Sequence, residues 1–328
     1  VRRELDSDDG LRTFLEAGTS LAEAVLQGLD LGPFEELLAA RELRGALFAG
    51  CHLSSGFLRH ALERGALVFP RVDGRPFDAW RGRLYSPEEL YAGFDPARPE
   101  SYRETLDHRV YASFVDPSTR RPRPCGLDDV LAHRLHDLSV GDALADFLDA
   151  AERRGCVAVM GGHDVARDEP VYRDVARLAR TLTRDGFLLI SGGGPGLMEA
   201  TNLGAYLSER EDEALEDARS ILAEAPTYRD AGWLAAAFGV RARFPLATAE
   251  RARSVGVPTW FYGHEPPNPF ATHVAKYFEN SVREEGLLAI ATHGVVFAPG
   301  NAGTVQEIFQ DACQNYYRTY TDYASPMI

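Results

Sequence analysis

Apolar residues along this chain fall into short runs separated by longer stretches of helical spacing, most regularly in its second half. Cys156–Met160 predicts a buried strand and Val171–Arg184 the helix that follows it. Phe187–Ser191 reads as the next strand, leading through a glycine turn into a helix from about Gly196. Ser208–Arg253 is charged and helical only in parts. Thr259–Tyr262 reads as a strand, and a helix runs through about Lys276–Gly286. Gly294–Ala298 is another strand, and a second glycine turn opens a helix over Thr304–Tyr317. Strands alternating with helices imply an α/β, Rossmann-like doubly wound parallel sheet with helices on both faces. Such sheets bind ligands at the carboxyl ends of their strands, where both glycine turns lie.

The first half has a different texture. Ala46–Ala49 and Ala66–Phe69 flank a helical segment at Phe57–Arg64 and read as one β-α-β unit. Gly74–Pro124 is loop-rich, with repeated Pro, Arg, Asp and Gly. Leu127–Arg154 reads as helical, broken at Ser139, which would cap a helix over Asp142–Arg154. The expected organisation is an N-terminal α/β extension domain over residues 1–150, of unknown role, and a nucleotide-binding domain over residues 151–328. A length of 328 residues fits two domains at ~150 residues each. Ser325-Pro-Met-Ile328 reads as the start of a further strand, so a truncated C-terminal end is expected. Gly50-Cys51-His52 and Gly161-Gly162-His163 each follow an apolar strand, an echo that chance explains more readily than a diverged duplication.

Charge narrows the function. With 35 basic and 49 acidic side chains the formal net charge is −14, which disfavours nucleic-acid polymers and anionic membranes but allows a local anion site. No apolar run approaches the ~18 residues of a spanning helix, and the amino terminus does not resemble a signal peptide, so a cytoplasmic protein is expected. Cys51, Cys125, Cys156 and Cys313 are scattered, and His133-x-x-His136 lacks further ligands nearby. Neither a disulfide framework nor a metal site is indicated. Lys276 is the sole lysine, so any Schiff-base chemistry has one candidate. No GxxxxGK[ST] is present, which argues against a P-loop NTPase.

The two glycine turns carry the candidate chemistry. The first is Ser191-Gly192-Gly193-Gly194-Pro195-Gly196-Leu197-Met198-Glu199. Glycines between strand and helix let the backbone approach a ligand, and the helix N-terminus offers free N–H groups. A tight strand-to-helix turn is the plain alternative. The second is Pro299-Gly300-Asn301-Ala302-Gly303-Thr304-Val305-Gln306-Glu307, in which Asn301 is the non-glycine residue best suited to positive φ. It reads either as a phosphate cradle helped by the Thr304 hydroxyl, or as a capping box in which Glu307 satisfies its own helix.

Together, strand–GGGPGLMEA and strand–PGxxGTxxE resemble the Lonely-guy (LOG) family of nucleotide phosphoribohydrolases. Older descriptions call that family lysine decarboxylases, a label that a single lysine makes awkward. Met160-Gly161-Gly162-His163 and Glu265-Pro-Pro-Asn268-Pro269 resemble the longer pyrimidine/purine nucleotide 5′-monophosphate nucleosidases within it. The resemblance runs from about Cys156 to the end.

It implies hydrolysis of the N-glycosidic bond of a nucleoside 5′-monophosphate, giving free base and ribose 5-phosphate, by a homodimer or higher homo-oligomer with no cofactor and no metal. Glu307 matches the carboxylate that stabilises the developing ribose cation or activates water. Gly300, Asn301, Ala302, Gly303 and Thr304 would hold the 5′-phosphate, and Gly192, Gly193, Gly194, Gly196, Met198 and Glu199 the rest of the nucleotide. His163 and Asn268 are further candidate contacts, each with a local structural role as its alternative. The family's assisting arginine would fall at Glu284 by spacing, with Arg283 one residue earlier, and one residue turns a side chain ~100° about a helix. Either Arg283 reaches the site or another residue replaces it. A Rossmann-like nucleotide sensor without turnover is the competing function, favoured by that displacement and by Asn301 in place of a glycine. A dehydrogenase fits less well, because neither turn is GxGxxG with a ribose-binding acid after it. Phe309, Tyr316 and Tyr317 read as core or subunit interface.

Overall fold

The computed structural model describes residues 3–150, 153–246, 253–261 and 265–328. By contacts the chain divides into two compact units, Val1–Arg83 with Cys125–Ala145 and Leu84–Pro124 with Asp146–Ile328.

The first unit is built on a parallel sheet of β1 (Arg3–Leu5), β2 (Ala24–Gln27), β3 (Leu47–Ala49) and β4 (Leu67–Phe69), in that order. α1 (Asp8–Glu16), α2 (Glu35–Ala39) and α3 (Ser55–Glu63) connect the strands. Leu11, Phe14, Leu26, Phe34, Leu38 and Phe48 form its core. Beyond β4 come α4 (Pro87–Leu90), α5 (Leu106–Phe114) and the hairpin of β5 (Val115–Asp116) with β6 (Arg121–Pro122). Next is α6, a single 24-residue helix over Leu127–Ala150. The expected break at Ser139 is absent. Its buried hydroxyl donates to the Ala79 carbonyl at 3.1 Å and so caps nothing. His133 and His136 pack against Phe77, at ring separations of 5.6 and 5.4 Å.

The second unit holds the longer sheet. Its strands are β7 (Gly155–Met160), β8 (Phe187–Ser191), β9 (Ser254–Gly256), β10 (His273–Val274) and β11 (Val295–Phe297). All pair in parallel, in the order β10-β9-β8-β7-β11. Around them lie α7 (Pro170–Arg184), α8 (Leu197–Tyr206), α9 (Asp212–Leu222), α10 (Trp233–Arg243), α11 (Asn280–Ala289) and α12 (Ala302–Tyr317). This is an α/β, Rossmann-like doubly wound fold with helices on both faces. β7 is buried at every position, as expected of a strand covered on both sides and written as a continuous apolar run.

Three boundaries differ from the sequence reading. No strand covers Thr259–Phe261, and Tyr262 lies outside the described residues. The strand is Ser254–Gly256, two residues before Pro258, which has no N–H to extend a ladder. The helix expected from about Lys276 starts at Asn280, because His273–Val274 pairs with β9 and the Tyr277 carbonyl accepts the Trp260 N–H at 2.9 Å. The last helix begins at Ala302, two residues before Thr304. The closing residues do run beside β11: Val295 N–H donates to Pro326 O at 2.8 Å and Ile328 N–H to Val295 O at 3.0 Å.

Within the second unit, the stretch Leu84–Pro124 is tied down by one buried group of charges. Lys276 Nζ donates to Asp107 Oδ1 at 2.5 Å, and the Trp260 indole donates to the same oxygen at 3.1 Å. Tyr102 donates its hydroxyl to the other oxygen at 2.9 Å. The sole lysine is therefore a buried ion-pair partner. Among the described residues no helix is long and apolar enough to cross a membrane.

Candidate functional site

Strand order decides where a ligand fits. The chain leaves β7, winds through β8, β9 and β10 on one side, then crosses to β11 on the other. The crevice opens where winding reverses, between the carboxyl ends of β7 and β11. There the Gly162 N–H donates to Pro299 O at 2.9 Å and joins the two loops. A cleft of about 360 Å³ lies beside this junction. It is lined by His163, Gly192, Gly194, Met198, Arg283, Asn301, Ala302, Gly303, Thr304 and Glu307, all expected from the sequence. Gly161, Gly162, Pro258, Thr259, Glu265, Glu284 and Gln306 complete the lining.

Glu307 and Arg283 face each other across this cleft. Glu307 Oε1 lies 3.9 Å from Arg283 Nη1, with side chains 13% and 11% exposed. The other guanidinium nitrogens are tethered: Nε donates to Val257 O at 2.7 Å and Nη2 approaches Gly192 O at 3.5 Å. These bonds aim one nitrogen at the carboxylate. Gly192 leaves room for it: a Cβ there would meet the guanidinium and lie 2.6 Å from the Met198 sulfur, so both side chains would have to shift. Arg283 thus reaches the cleft although it stands one residue from the family spacing. Glu284 lines the cleft too, but its carboxylate accepts from Asn280 at 2.6 Å and Gln306 at 2.7 Å. Burial raises the Glu307 carboxyl above its ordinary value; Arg283 opposes that rise and the Glu284 charge adds to it.

The α12 terminus does not form the capping box. Asn301 is the N-cap residue, with φ −101° and no side-chain cap, so Thr304 sits inside the first turn and Glu307 beyond it. Asn301 does not adopt the positive φ for which it looked suited; its backbone is extended, which any residue tolerates. Asparagine for glycine at this point therefore costs the turn nothing. The N–H groups of Ala302, Gly303 and Thr304 precede the first intrahelical bond, Val305 N–H to Asn301 O at 3.2 Å, and so lack helical partners. Ala302 and Gly303 are exposed. They offer donors and the positive dipole end to an anion in the cleft.

Other expected residues serve the turn rather than the cleft. Gly193, Gly196, Glu199, Gly300 and Asn268 do not line it. Glu199 is fully buried: Arg167 donates Nη2 to Oε1 at 2.6 Å and Nε to Oε2 at 2.8 Å, and Tyr172 adds its hydroxyl at 3.0 Å. Asn268 is also buried and holds the glycine loop, donating to Gly194 O at 3.0 Å and accepting from Phe270 N–H at 3.1 Å. Gly196 adopts φ +67°, and a Cβ there would collide with the Gly162 carbonyl, so only glycine allows the two loops to meet. His163 does line the cleft, with Nδ1 3.6 Å from Glu265 Oε1 and Nε2 3.1 Å from Asp164 Oδ2. Phe309, Tyr316 and Tyr317 are 72%, 81% and 71% exposed, which excludes the core reading for them in this chain. Pro258 and Thr259 carried no sequence signal of a site; Glu265 had one in its proline-rich setting.

No protein-family model matches the chain, and no curated protein matches it. Among solved structures, the chain is similar to the X-ray structure of TM1055, a Northeast Structural Genomics Consortium target. The identity is 23% and the TM-score 0.30, over 48% of this chain and 67% of that one.

Proposed function

We propose that this protein hydrolyses the N-glycosidic bond of nucleoside 5′-monophosphates, giving free base and ribose 5-phosphate. The observation that carries the reading is the facing pair Glu307 and Arg283 beside the open amino terminus of α12. The motif resemblance to the Lonely-guy nucleotide phosphoribohydrolases supports it.

The 5′-phosphate accepts from the N–H groups of Ala302, Gly303 and Thr304 and from the Thr304 hydroxyl. That anchor places the ribose over Glu307. As the C1′–N bond breaks, its electron pair leaves with the base and positive charge spreads over C1′ and the ring oxygen. The Glu307 carboxylate stabilises that charge and takes a proton from the water that attacks C1′. The proton that Glu307 takes from the water is passed on to the ring nitrogen of the departing base, which restores the carboxylate. Arg283 keeps Glu307 ionised in a setting where burial favours the neutral acid. The exposed face of α12, with Val305, Phe309 and Tyr316, is the surface through which copies of the chain would associate.

The test is chromatographic. Protein is incubated with AMP, GMP, IMP, CMP and UMP, and free base and ribose 5-phosphate are quantified beside a Glu307→Gln control. Equimolar release of both products, lost in the control, is expected. Nucleotide binding without release from any of the five would instead assign a sensor.

A further inference from the structure

A second cavity, of about 300 Å³, lies in the same unit and differs in chemistry from the cleft. One part of its lining comes from the loop-rich stretch: Phe94, Tyr102, His108 and Tyr111. The rest comes from the approach to α10 and from Pro266, with Tyr228 and Trp233 supplying two more rings. Asp230 is the one carboxylate among the lining side chains, and burial holds the His108 imidazole below its ordinary pKa. Asp230 also accepts from the Thr227 N–H at 2.7 Å. No lysine or arginine is present among the lining residues. The Arg229 guanidinium lies 4.6 Å over the Tyr228 ring but is paired with Asp164 at 2.8 Å. Among the lining side chains a phosphate would therefore meet a carboxylate and no cation, whereas a neutral ring would meet aromatic faces and a neutral imidazole able to donate and accept.

The walls are held from behind. The Tyr102 hydroxyl is fixed by Asp107 at 2.9 Å, within the Lys276–Trp260 group. Trp233 is fixed by Arg167, which lies 4.8 Å over its ring and donates to its carbonyl at 3.1 Å. Aromatic side chains set before the ligand arrives lose little freedom on binding. The cavity also adjoins the cleft: the Tyr228 ring lies 6.0 Å from that of His163, and Pro266 follows Glu265 in the chain.

We infer that this aromatic cavity binds an uncharged planar heteroaromatic molecule, a free nucleobase or nucleoside, separately from the phosphate-bearing nucleotide in the cleft. The aromatic walls and missing cations carry the class of ligand; the choice of a nucleobase rests on the proposed hydrolysis, whose product it would be.

The test is equilibrium dialysis of Glu307→Gln protein against adenine, hypoxanthine, uracil and adenosine, with AMP and indole alongside. Binding is then read without turnover. A base or adenosine is expected to bind, with affinity reduced about tenfold by Tyr111→Ala, the loss typical of one stacking face. Ala231→Trp, which adds bulk at an exposed lining position, is expected to abolish it while leaving AMP binding intact. Uptake of indole but of no base or nucleoside would overturn the assignment. So would base binding that both variants leave unchanged, or no binding at millimolar ligand. Base release from nucleotides with no binding here would sink this inference alone; binding here without base release would sink the hydrolysis alone.

Discussion

The turns after β8 and β11 share one local design, a strand, a run with glycines, a helix and a glutamate on that helix, yet their carboxylates meet opposite fates. After β8 the carboxylate is satisfied internally. The Leu197 N–H at the start of α8 donates to Gly162 O at 3.0 Å, and Glu199 is held by Arg167 and Tyr172 with no exposed surface. After β11 the first N–H groups of α12 lack helical partners, and Glu307 has a single cation at 3.9 Å, a loose approach for an ion pair. One turn has spent its polar groups on rigidity and the other keeps them available. A binding site of this kind needs both: a fixed wall and an unsatisfied one.

Removing each carboxylate separates the two roles. Glu307→Gln should reduce base release by ~10³-fold, within the range for loss of a positioned acid–base group. Its thermal midpoint should hold or rise, because burial already disfavours the charge. Glu199→Gln should act the other way. It leaves the Arg167 guanidinium buried without its counter-charge, a loss of ~3–5 kcal/mol, which lowers the melting temperature by roughly 10 °C. Its activity per folded molecule should stay within a few fold of the parent. If Glu199→Gln abolished release at unchanged melting temperature, the contrast between the two turns would be wrong.

The two glutamates share their local signals, and only the family resemblance gave Glu307 the catalytic role and Glu199 a binding one. What distinguishes them is the arrival of Arg167 from the loop after β7, a contact between residues far apart in the chain. Asn268 was hidden similarly: flanking prolines mark a rigid segment, but they do not reveal that its amide turns inward to Asn202 at 2.8 Å. The strands Cys156–Met160 and Phe187–Ser191 were legible because both faces are buried and the apolar run is unbroken. Ser254–Gly256 was not, being a short strand amid charged neighbours, and the two-residue His273–Val274 is too brief for any period to emerge. The helix bearing Arg283 was anticipated, but its phase against the sheet is a tertiary quantity. A one-residue offset in spacing therefore left open whether the Arg283 side chain reaches the site.

Arg283→Met examines the looser of the two pairs. It should lower release ~10- to 100-fold at neutral pH, and it should move the acid limb of the pH profile. In the proposed hydrolysis the reacting form of Glu307 is the carboxylate, so activity should fall as pH drops through its pKa. Burial sets that limb above the ordinary 4.5, and Arg283 pulls it down. Without Arg283 the limb shifts upward, so the loss is greatest at acid pH and shrinks as pH rises. A limb that stays in place would mean that Arg283 serves the leaving base rather than the carboxylate.

The smallest effect lies one helical turn further along α12, at Asp311. Its Oδ2 is buried without a partner, and Oδ1 receives only a long bond of 3.4 Å from Asn315. Burial raises this carboxyl from 3.8 to about 6. Between those two values the folded protein retains a proton that the unfolded chain has lost, so stability declines as pH rises through that window. At pH 7.5 the charge is present and carries its full disadvantage. Asp311→Asn removes it and should raise the melting temperature by ~2–5 °C at pH 7.5, with the gap closing toward pH 4. A melting temperature raised equally at both pH values would point to packing rather than to charge. The helix that bears the candidate catalytic carboxylate would then be no less settled electrostatically than α8, where Glu199 already has its cation.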